Sequence, residues 1–463
     1  MQAGCEFLEK FEKCFYKRYN VYFVLEIENI NKNEMNEGDL MKKKKFNIVL
    51  AYVGVLTGAG LASGQEAIQY FAPFGIKGLI GLAGVGLLHI FLGGIILQMG
   101  SHFIAESHID VLEELSQKYL TKFMDFALIL NCFLMGFVMI AGAGSILNQQ
   151  FGLATWMGSL ICTILIIGVG MLDFDKVTKV IGSFTPLVLI FTLIGAGYTI
   201  AVESPDFEVL DALGKTLRPA LPNVVLSSLN YFGMCMMSCI SMAFVLGGRN
   251  TDSSEAGNTG LIGGFLVALL TGLIGLTTFI ALERVKDSDI PMQIILKDIS
   301  PILGLIMSVI IFGMIFNTAI SLFYSAAKRL SSNERRFKGN LIIFTFAGFG
   351  LSFLGFKKLM SILYPILGFI GLTLVIILVV AWLREKEEIK FEHRKREKMS
   401  DLTRKKLDDD LVFNKKDKER LERLAESSII DNEKIKEEIE EEIEEEMEEE
   451  MEEEMEEEME EEV

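Results

Sequence analysis

The chain has 463 residues, of which 51% are apolar and 23% are charged, and its formal net charge is -18. The acidity belongs to one end, because residues 384–463 hold 17 Lys/Arg and 35 Asp/Glu, whereas the preceding residues balance at 27 of each kind. Residues 46–384 form long apolar runs, many of which reach the roughly 20 residues that a helix needs to cross a bilayer. These proportions exclude an ordinary soluble globular protein.

Ten apolar runs follow one another along the chain, and each predicts one membrane span. The predicted spans cover 46–72, 78–99, 123–147, 153–172, 179–202, 224–247, 258–282, 301–326, 340–356 and 359–383. Unpaired backbone groups are intolerable in hydrocarbon, and the runs lack the alternation of a membrane barrel, so the spans are expected to be helices. The sequence therefore predicts an all-α polytopic membrane protein.

Composition divides the chain into three regions: an N-terminal extension (1–45), a ten-helix membrane domain (46–384) and a charged tail (385–463). Within the extension, Met41 directly precedes a basic block and the first span, as a translation start followed by an orienting cluster would. We therefore expect the true start to be Met41.

The tail ends in low-complexity poly-Glu, in which an apolar residue recurs every fourth position. Four residues overshoot one helical turn by about 40°, so the apolar stripe winds around any helix and is not a heptad seam. Because like charges repel, we expect this segment to be disordered, or helical only when its charge is partly neutralised. It is either an interaction tail of unknown partner or a low-complexity expansion without specific function.

Basic residues close to the spans set the expected orientation. Lys and Arg are slightly more frequent in loops on the side of the N-terminus, and the excess grows once Lys42–Lys45, Arg384 and Lys386 are counted. Because basic loops stay inside, we expect a multi-pass protein of the cell membrane with both termini in the cytoplasm.

The two halves of the membrane domain show an internal repeat. Adding 179 residues to the bounds of spans 1, 2, 3 and 5 nearly reproduces spans 6, 7, 8 and 10, and Pro186 then falls on Pro365. An odd number of spans per half makes the second half enter the membrane from the opposite side. The sequence thus predicts two inverted five-helix repeats, which are typical of secondary transporters. Chance register of ten ordinary spans is the alternative.

Signatures of enzymes and resident cofactors are missing from the sequence. It has no phosphate-binding loop with its Lys and no Cys/His cluster with metal-ligand spacing. Cys235 and Cys239 are at helical spacing, but no His or carboxylate lies nearby in sequence. We expect no enzymatic activity, no cofactor and no nucleic-acid partner, but a small solute and the lipid bilayer as partners.

The most informative motif is the run Gly58–Glu66, Gly-Ala-Gly-Leu-Ala-Ser-Gly-Gln-Glu, in the middle of the first span. A glycine inside a helix costs about 1 kcal/mol relative to Ala, so three within seven residues predict an unwound stretch. Freed backbone groups at membrane depth are tolerated where they line a polar site, and an ionisable residue there usually serves a pathway. Close helix packing through small residues is the alternative. The residues expected to bind solute are Gly58, Gly60, Ser63, Gly64, Gln65 and Glu66.

Repeat symmetry predicts that span 6 is broken as well. Two polar patches compete for the break: one holds Ser228 and Asn230, and the other holds Ser238 and Ser241. The sequence leaves the choice open. Ser228 and Asn230 are assigned to the solute site, facing the broken first span.

A cation site is expected in span 8. Asn317, Thr318 and Ser321 occupy adjoining helical positions, and their neutral oxygens suit a small hard cation such as sodium. The alternative is that the hydroxyls are satisfied by carbonyls of their own helix.

The Gly58–Glu66 motif resembles that of the YkvI-type family of bacterial membrane proteins. Ser228-Leu229-Asn230 is similar to a Ser-Tyr-Asn element of that family, with Leu229 in place of the aromatic residue, and Leu363-Tyr364-Pro365, Asp289-Ile290-Pro291-Met292 and Ser300-Pro301 also match. The resemblance covers about residues 41–384. It implies membership of the amino acid, polyamine and organocation transporter group with a LeuT-like fold. In that fold the solute lies between broken helices 1 and 6, and sodium often lies between helices 1 and 8.

The sequence therefore predicts secondary active transport of a small solute, an amino acid or related organic cation, by alternating access around a midplane site. Sodium ions or protons are the expected coupling ions. A function from another class is kept open. It is a membrane sensor or scaffold that retains the transporter fold and acts through its acidic cytoplasmic tail.

Overall fold

The structure is a computed structural model, and it describes residues 37–107, 110–112, 118–171, 184–331, 333–408 and 411–461. Most of the predicted N-terminal extension and the start of the fifth predicted span lie outside the described residues. In chain order the helices are α1 (Glu37–Leu56), α2 (Ala59–Ser63), α3 (Gln65–Tyr70), α4 (Ile76–His102), α5 (Lys118–Phe151), α6 (Thr155–Gly170), α7 (Phe184–Val202), α8 (Phe207–Gly214), α9 (Val224–Gly248), α10 (Ser253–Ile280), α11 (Leu282–Val285), α12 (Pro291–Ile299), α13 (Pro301–Arg329), α14 (Glu334–Ser352), α15 (Phe356–Leu407), α16 (Lys415–Glu426) and α17 (Asn432–Glu461).

Six helices in the described part of the chain are long and apolar enough to cross a membrane, namely α4, α5, α9, α10, α13 and α15. Shorter apolar helices lie within α1, α6 and α7. The long helices correspond to predicted spans 2, 3, 6, 7, 8 and 10. The prediction of a helical multi-pass membrane protein is confirmed at this level.

The first predicted span is interrupted twice. Helix α1 ends at Leu56, and the chain resumes as two short helices, α2 and α3, which Gly64 separates. Gly64 has φ +79°, a left-handed conformation that glycine adopts without the steric cost of a side chain. The predicted break in the first span is therefore confirmed.

The predicted break in span 6 is wrong, because α9 runs from Val224 to Gly248 as one helix. The polar side chains do not open it: the Ser238 hydroxyl donates to the carbonyl of Met234 at 3.2 Å, within the same helix. The central glycine, Gly233, serves packing instead. A Cβ at Gly233 would collide with the backbone carbonyl of Gly368, so its absence lets α9 and α15 approach closely.

Helix α15 extends far beyond the predicted tenth span and carries the tail. It runs unbroken for 52 residues, and α16 and α17 pack against its C-terminal part. The Glu-rich segment is helical over Asn432–Glu461 and not disordered. Ion pairs with α15, such as Arg404–Glu446 and Lys406–Glu440, neutralise part of its charge, as the helical alternative requires. Burial of apolar side chains offsets the repulsion among the glutamates. The buried members of this tail cluster are Ile104, Met399, Leu402, Leu421, Ala425, Ile435, Ile439 and Ile443.

Candidate functional site

Hydrogen bonds within the interrupted segment itself hold the break in place. The Ser63 hydroxyl donates to the carbonyl of Gly60 at 2.6 Å and accepts from the backbone N–H of Gln65 at 3.1 Å. The N–H of Gly64 donates to the carbonyl of Leu61 at 2.9 Å. The structure therefore places Ser63 as a bridge across the joint between α2 and α3, with its hydroxyl engaged by the backbone.

The three glycines of the motif have different surroundings. A Cβ at Gly60 would overlap Oε1 of Glu66, so the carboxylate lies directly against the Gly60 backbone. A Cβ at Gly64 would lie 2.9 Å from Cγ2 of Thr278, besides needing the left-handed conformation. Nothing lies within 4 Å of a Cβ at Gly58, whose φ is -47°. Two of the three glycines are thus needed for close approach.

Glu66 is the buried acidic residue of the site. Its side chain is 4% exposed, and its carboxylate accepts a hydrogen bond from the hydroxyl of Tyr231. The Tyr364 hydroxyl reaches the same place, 3.4 Å from where a Cβ on Gly60 would lie. In the part of the chain that the structure describes, no Lys, Arg or His is among the groups acting on this carboxylate. Its surroundings are oxygen atoms and aromatic rings, without a compensating cation.

Aromatic rings from two helices form one side of the site. The ring centroid of Tyr231 is 5.2 Å from that of Tyr70 and 5.2 Å from that of Phe71. Sequence reasoning missed these rings, although Tyr231 directly follows Asn230. Leu229, which replaces the aromatic residue of the Ser-Tyr-Asn element, is 39% exposed and lies on the outside of α9. The ring beside Glu66 therefore comes from Tyr231.

Asn230 joins three helices at the site. Its Oδ1 accepts from the Tyr70 hydroxyl at 3.3 Å, and its Nδ2 donates to the carbonyl of Pro365 at 2.9 Å. One turn earlier, the Ser227 hydroxyl donates to the carbonyl of Tyr70 at 2.7 Å. The end of α3 is thereby fixed against α9, and α9 against α15.

Two buried polar atoms at the break have no hydrogen-bond partner in the structure, Oε1 of Gln65 and the hydroxyl of Tyr364. The Oγ of Ser228, assigned to the same site from the sequence, also has no partner, but it lies against Gly81 of α4. A buried polar group without a partner is costly, so such groups usually serve to bind something else. The break therefore holds a buried carboxylate together with an amide oxygen and a hydroxyl that lack partners.

The predicted cation ligands lie on one helix near the break. Asn317, Thr318 and Ser321 are half-buried on α13, and α13 contacts α2. The described residues contain no group of three or more His, Cys, Asp or Glu that would hold a metal ion. The sodium site formed by neutral oxygens of α13 stays a prediction.

Comparisons with known proteins place the fold. No protein-family model matches the chain. The "Uncharacterized membrane protein YkvI" of Bacillus subtilis (strain 168) is 24% identical over 348 residues, which cover 72% of this chain and 95% of the relative. The "Uncharacterized protein YyaD" of the same organism is 25% identical over 334 residues, with the same coverage. The crystal structure of MhsT in complex with L-phenylalanine is 15% identical, with a TM-score of 0.51, over 85% of this chain and 96% of MhsT.

The chain is therefore a multi-pass membrane protein with the LeuT fold, which it shares with MhsT. The predicted resemblance to the YkvI-type bacterial membrane proteins is confirmed, and it extends along nearly the whole length of both relatives.

Proposed function

We propose that the protein is a secondary active transporter of a small solute, an amino acid or related organic cation. One observation carries the proposal: the break between α1 and α3 buries Glu66 in a polar site without a basic partner. Broken helices at membrane depth bind solutes and coupling ions in transporters with inverted repeats. The fold shared with MhsT, which was crystallised with L-phenylalanine, supports the same function.

The charge of the site indicates what it binds. A carboxylate that is removed from water without a counter-ion is strongly disfavoured, so Glu66 needs a cation when it is ionised. The ammonium group of a solute, a sodium ion or a proton would satisfy it. The rings of Tyr70, Tyr231 and Phe71 suit an ammonium group, which aromatic faces attract. An amino acid or organic cation coupled to sodium or protons fits these groups.

The proposal includes the predicted architecture. The ten spans consist of the six long helices, the interrupted segment α1–α3, and the shorter helices α6, α7 and α14. They form two inverted five-helix repeats over 46–384, both termini lie in the cytoplasm, and the tail follows over 385–463. Alternating access moves helices around the site of Glu66, while Asn317, Thr318 and Ser321 hold sodium beside α2.

Ligand-induced stabilisation of the purified full-length protein tests this function. A ligand that binds only the folded state raises Tm, so amino acids and organic amines are screened with and without sodium. At least one solute is expected to stabilise the wild type. Glu66→Gln keeps the size of the side chain but removes the charge, and it should weaken that ligand about 10-fold or more.

Glu283→Gln is the matched control, because this exposed carboxylate lies on α11 and outside the site. It should leave the ligand response unchanged. The proposal fails if no solute in a broad panel stabilises the wild type, or if Glu66→Gln responds like the control.

A further inference from the structure

An arginine from the C-terminal part of α15 is buried between two ends of the membrane helices. The Arg396 guanidinium donates to the carbonyls of Ser101 at 2.8 Å and His102 at 2.6 Å, which are the last residues of α4. It also donates to the carbonyl of Thr251, in the connection between α9 and α10, at 3.4 Å. A cation is favoured at the C-terminal end of a helix, where unpaired carbonyls concentrate negative charge. Arg396 is 2% exposed, and Glu392 at 3.2 Å balances its charge.

The same connection is held a second time by the Glu-rich helix α17. The carboxylate of Glu442 accepts from the backbone N–H of Thr251 at 3.0 Å and from its hydroxyl. Lys434 of α17 pairs with Glu106, just after α4. The C-terminal part of α15 and helix α17 therefore both contact the chain at the end of α4 and just before α10.

Ile104 marks the contact as a place where the backbone is constrained. It has φ +43°, which is unusual for a β-branched residue. Its side chain is 2% exposed and belongs to the tail cluster, together with Ile439 and Met399. The backbone N–H groups of Ile104 and Ala105 donate to the carbonyls of Ser101 at 3.0 Å and Gly100 at 2.9 Å, so the left-handed residue closes the C-terminal end of α4. The docked tail covers the side chain of this capping residue.

The tail links two parts of the helix bundle. Helices α4 and α10 pack closely, since a Cβ at Gly260 would collide with the backbone of Gly93. Helix α15 packs against α9 and carries Tyr364 at the solute site. Helix α9 also lies against the end of α4, where a Cβ at Gly247 would collide with the carbonyl of Leu97, so separation of α4 from α9 has to open this contact as well. The contacts of Arg396 and Glu442 fasten the ends of α4 and α10 to α15 and α17.

We propose that the tail is an intramolecular clamp. When docked, Arg396, Glu442 and the tail cluster hold the ends of α4 and α10 against α15, and this closes the path between the solute site and the tail end of the bundle. Release of the clamp lets these helices separate, so the docked chain is the restrained form of the transporter. This regulation rests on the proposed function, whereas the clamping of the helices does not.

The reactivity of Cys239 can report whether α4 and α10 separate from α9. Its thiol is fully buried in α9, two turns beyond Tyr231 towards the tail end, and it lies beside Tyr52. The Tyr52 side chain in turn packs against Gly93 of α4 and Gly263 of α10. A water-soluble maleimide therefore reaches Cys239 only when these helices part.

The test uses the full-length protein with Cys239 as its sole cysteine. The rate of maleimide labelling is compared between the parent, Glu442→Ala and the matched control Glu441→Ala, which removes a neighbouring exposed carboxylate from the same helix. Loss of a hydrogen-bonded charge should speed labelling about 10-fold or more in Glu442→Ala, with no change in the control. Ile439→Asp, which disrupts the tail cluster, should act in the same direction. Helix content and Tm confirm that each variant is folded.

The possible outcomes distinguish failure of the clamp proposal from failure of the proposed transport function. Slow labelling in both Glu442→Ala and Ile439→Asp overturns the clamp, as does equal acceleration in Glu441→Ala. If labelling accelerates but solute uptake into liposomes does not, the regulatory statement is wrong. If labelling accelerates and no solute ever stabilises the protein, the clamp stands and the transport proposal fails.

Discussion

The hydroxyl of Tyr70 lies 3.3 Å from Oδ1 of Asn230, and this hydrogen bond ties the last turn of the interrupted first span to α9. The amide of Asn230 donates its other bond to the carbonyl of Pro365, so one buried side chain connects α3, α9 and α15. The geometry of the site beside Glu66 therefore depends on Asn230.

Replacing Asn230 should destabilise the protein. Asn230→Ala leaves the Tyr70 hydroxyl buried without its partner, at a cost of about 1–3 kcal/mol, whereas the carbonyl of Pro365 keeps its hydrogen bond within α15. Ser238→Ala, on the same helix, loses only a bond within α9 and should change stability by less than about 0.5 kcal/mol. Thermal unfolding of the purified variants measures the difference. Equal Tm values for the two variants would contradict the assigned role of Asn230.

The glycines of the motif should differ in their tolerance of alanine. At Gly60 a methyl group would occupy the place of the Glu66 carboxylate, so Gly60→Ala should displace it and abolish ligand-induced stabilisation. At Gly58 there is room and the backbone is ordinary, so Gly58→Ala should keep the ligand response. Thermal-shift titration of both variants tests this. A normal response in Gly60→Ala would disprove the contact between Gly60 and Glu66.

Replacement by alanine should be tolerated less well at Gly64 than at Gly152, which has a similar left-handed conformation. Gly64→Ala combines a left-handed backbone with collisions against Thr278 and Met292, whereas Gly152, with φ +69°, has nothing within 4 Å of a Cβ. Gly152→Ala should lose about 1 kcal/mol through backbone strain alone. Gly64→Ala should lose at least about 1 kcal/mol more, because overpacking adds to the strain. Comparable unfolding midpoints would show that the packing around Gly64 yields easily.

Docking of the tail should weaken in acid. Burial raises the pKa of Glu392, but the Ser428 hydroxyl and the charges of Arg396 and Lys395 outweigh this effect and hold the pKa below its usual 4.5. A carboxyl whose pKa is lowered in the folded chain stabilises that state, with its docked tail, above pH 4.5, and this contribution is lost as the pH falls through the lowered pKa. Arg396 and Lys395 lie on α15 itself, so the hydrogen bond from Ser428 is the lowering effect that docking adds. A spin label at the exposed position 441 should become more mobile as the pH is lowered from about 7 to about 3.

The matched variant for this pH experiment is Glu392→Gln. It lacks the titrating group, so its label should be more mobile already at neutral pH and should respond less to acid. A label that stays equally immobile in the wild type over the whole range would show that Glu392 does not control docking.

The sequence predicted the broken first span because its cause is local: glycines at Gly58, Gly60 and Gly64 weaken a helix wherever it packs. The break expected in α9 failed because hydroxyls such as that of Ser238 were satisfied inside the helix, and the position of that bond is invisible in sequence. The rings around Glu66 were missed for another reason. Tyr70, Tyr231 and Tyr364 come from three distant segments, and only tertiary packing brings them together.

The structure of the acidic tail was harder to predict than that of the first span. Its composition indicates repulsion, and repulsion alone predicts disorder. What composition does not contain is the apolar surface of Met399, Leu402 and Leu421, on which the isoleucines of α17 pack. Helicity there depends on a partner surface supplied by the same chain.

Tyr364, beside the Gly60–Glu66 contact, and Arg396, in the tail contact, belong to one uninterrupted helix. They are 32 residues apart, which corresponds to about 48 Å along the axis. Pro365 lies beside the first of them, where it removes a backbone bond and makes the helix easiest to bend. Because the rest of α15 is one continuous helix, a small change of tilt at Pro365 would displace the Arg396 guanidinium sideways by a much larger distance.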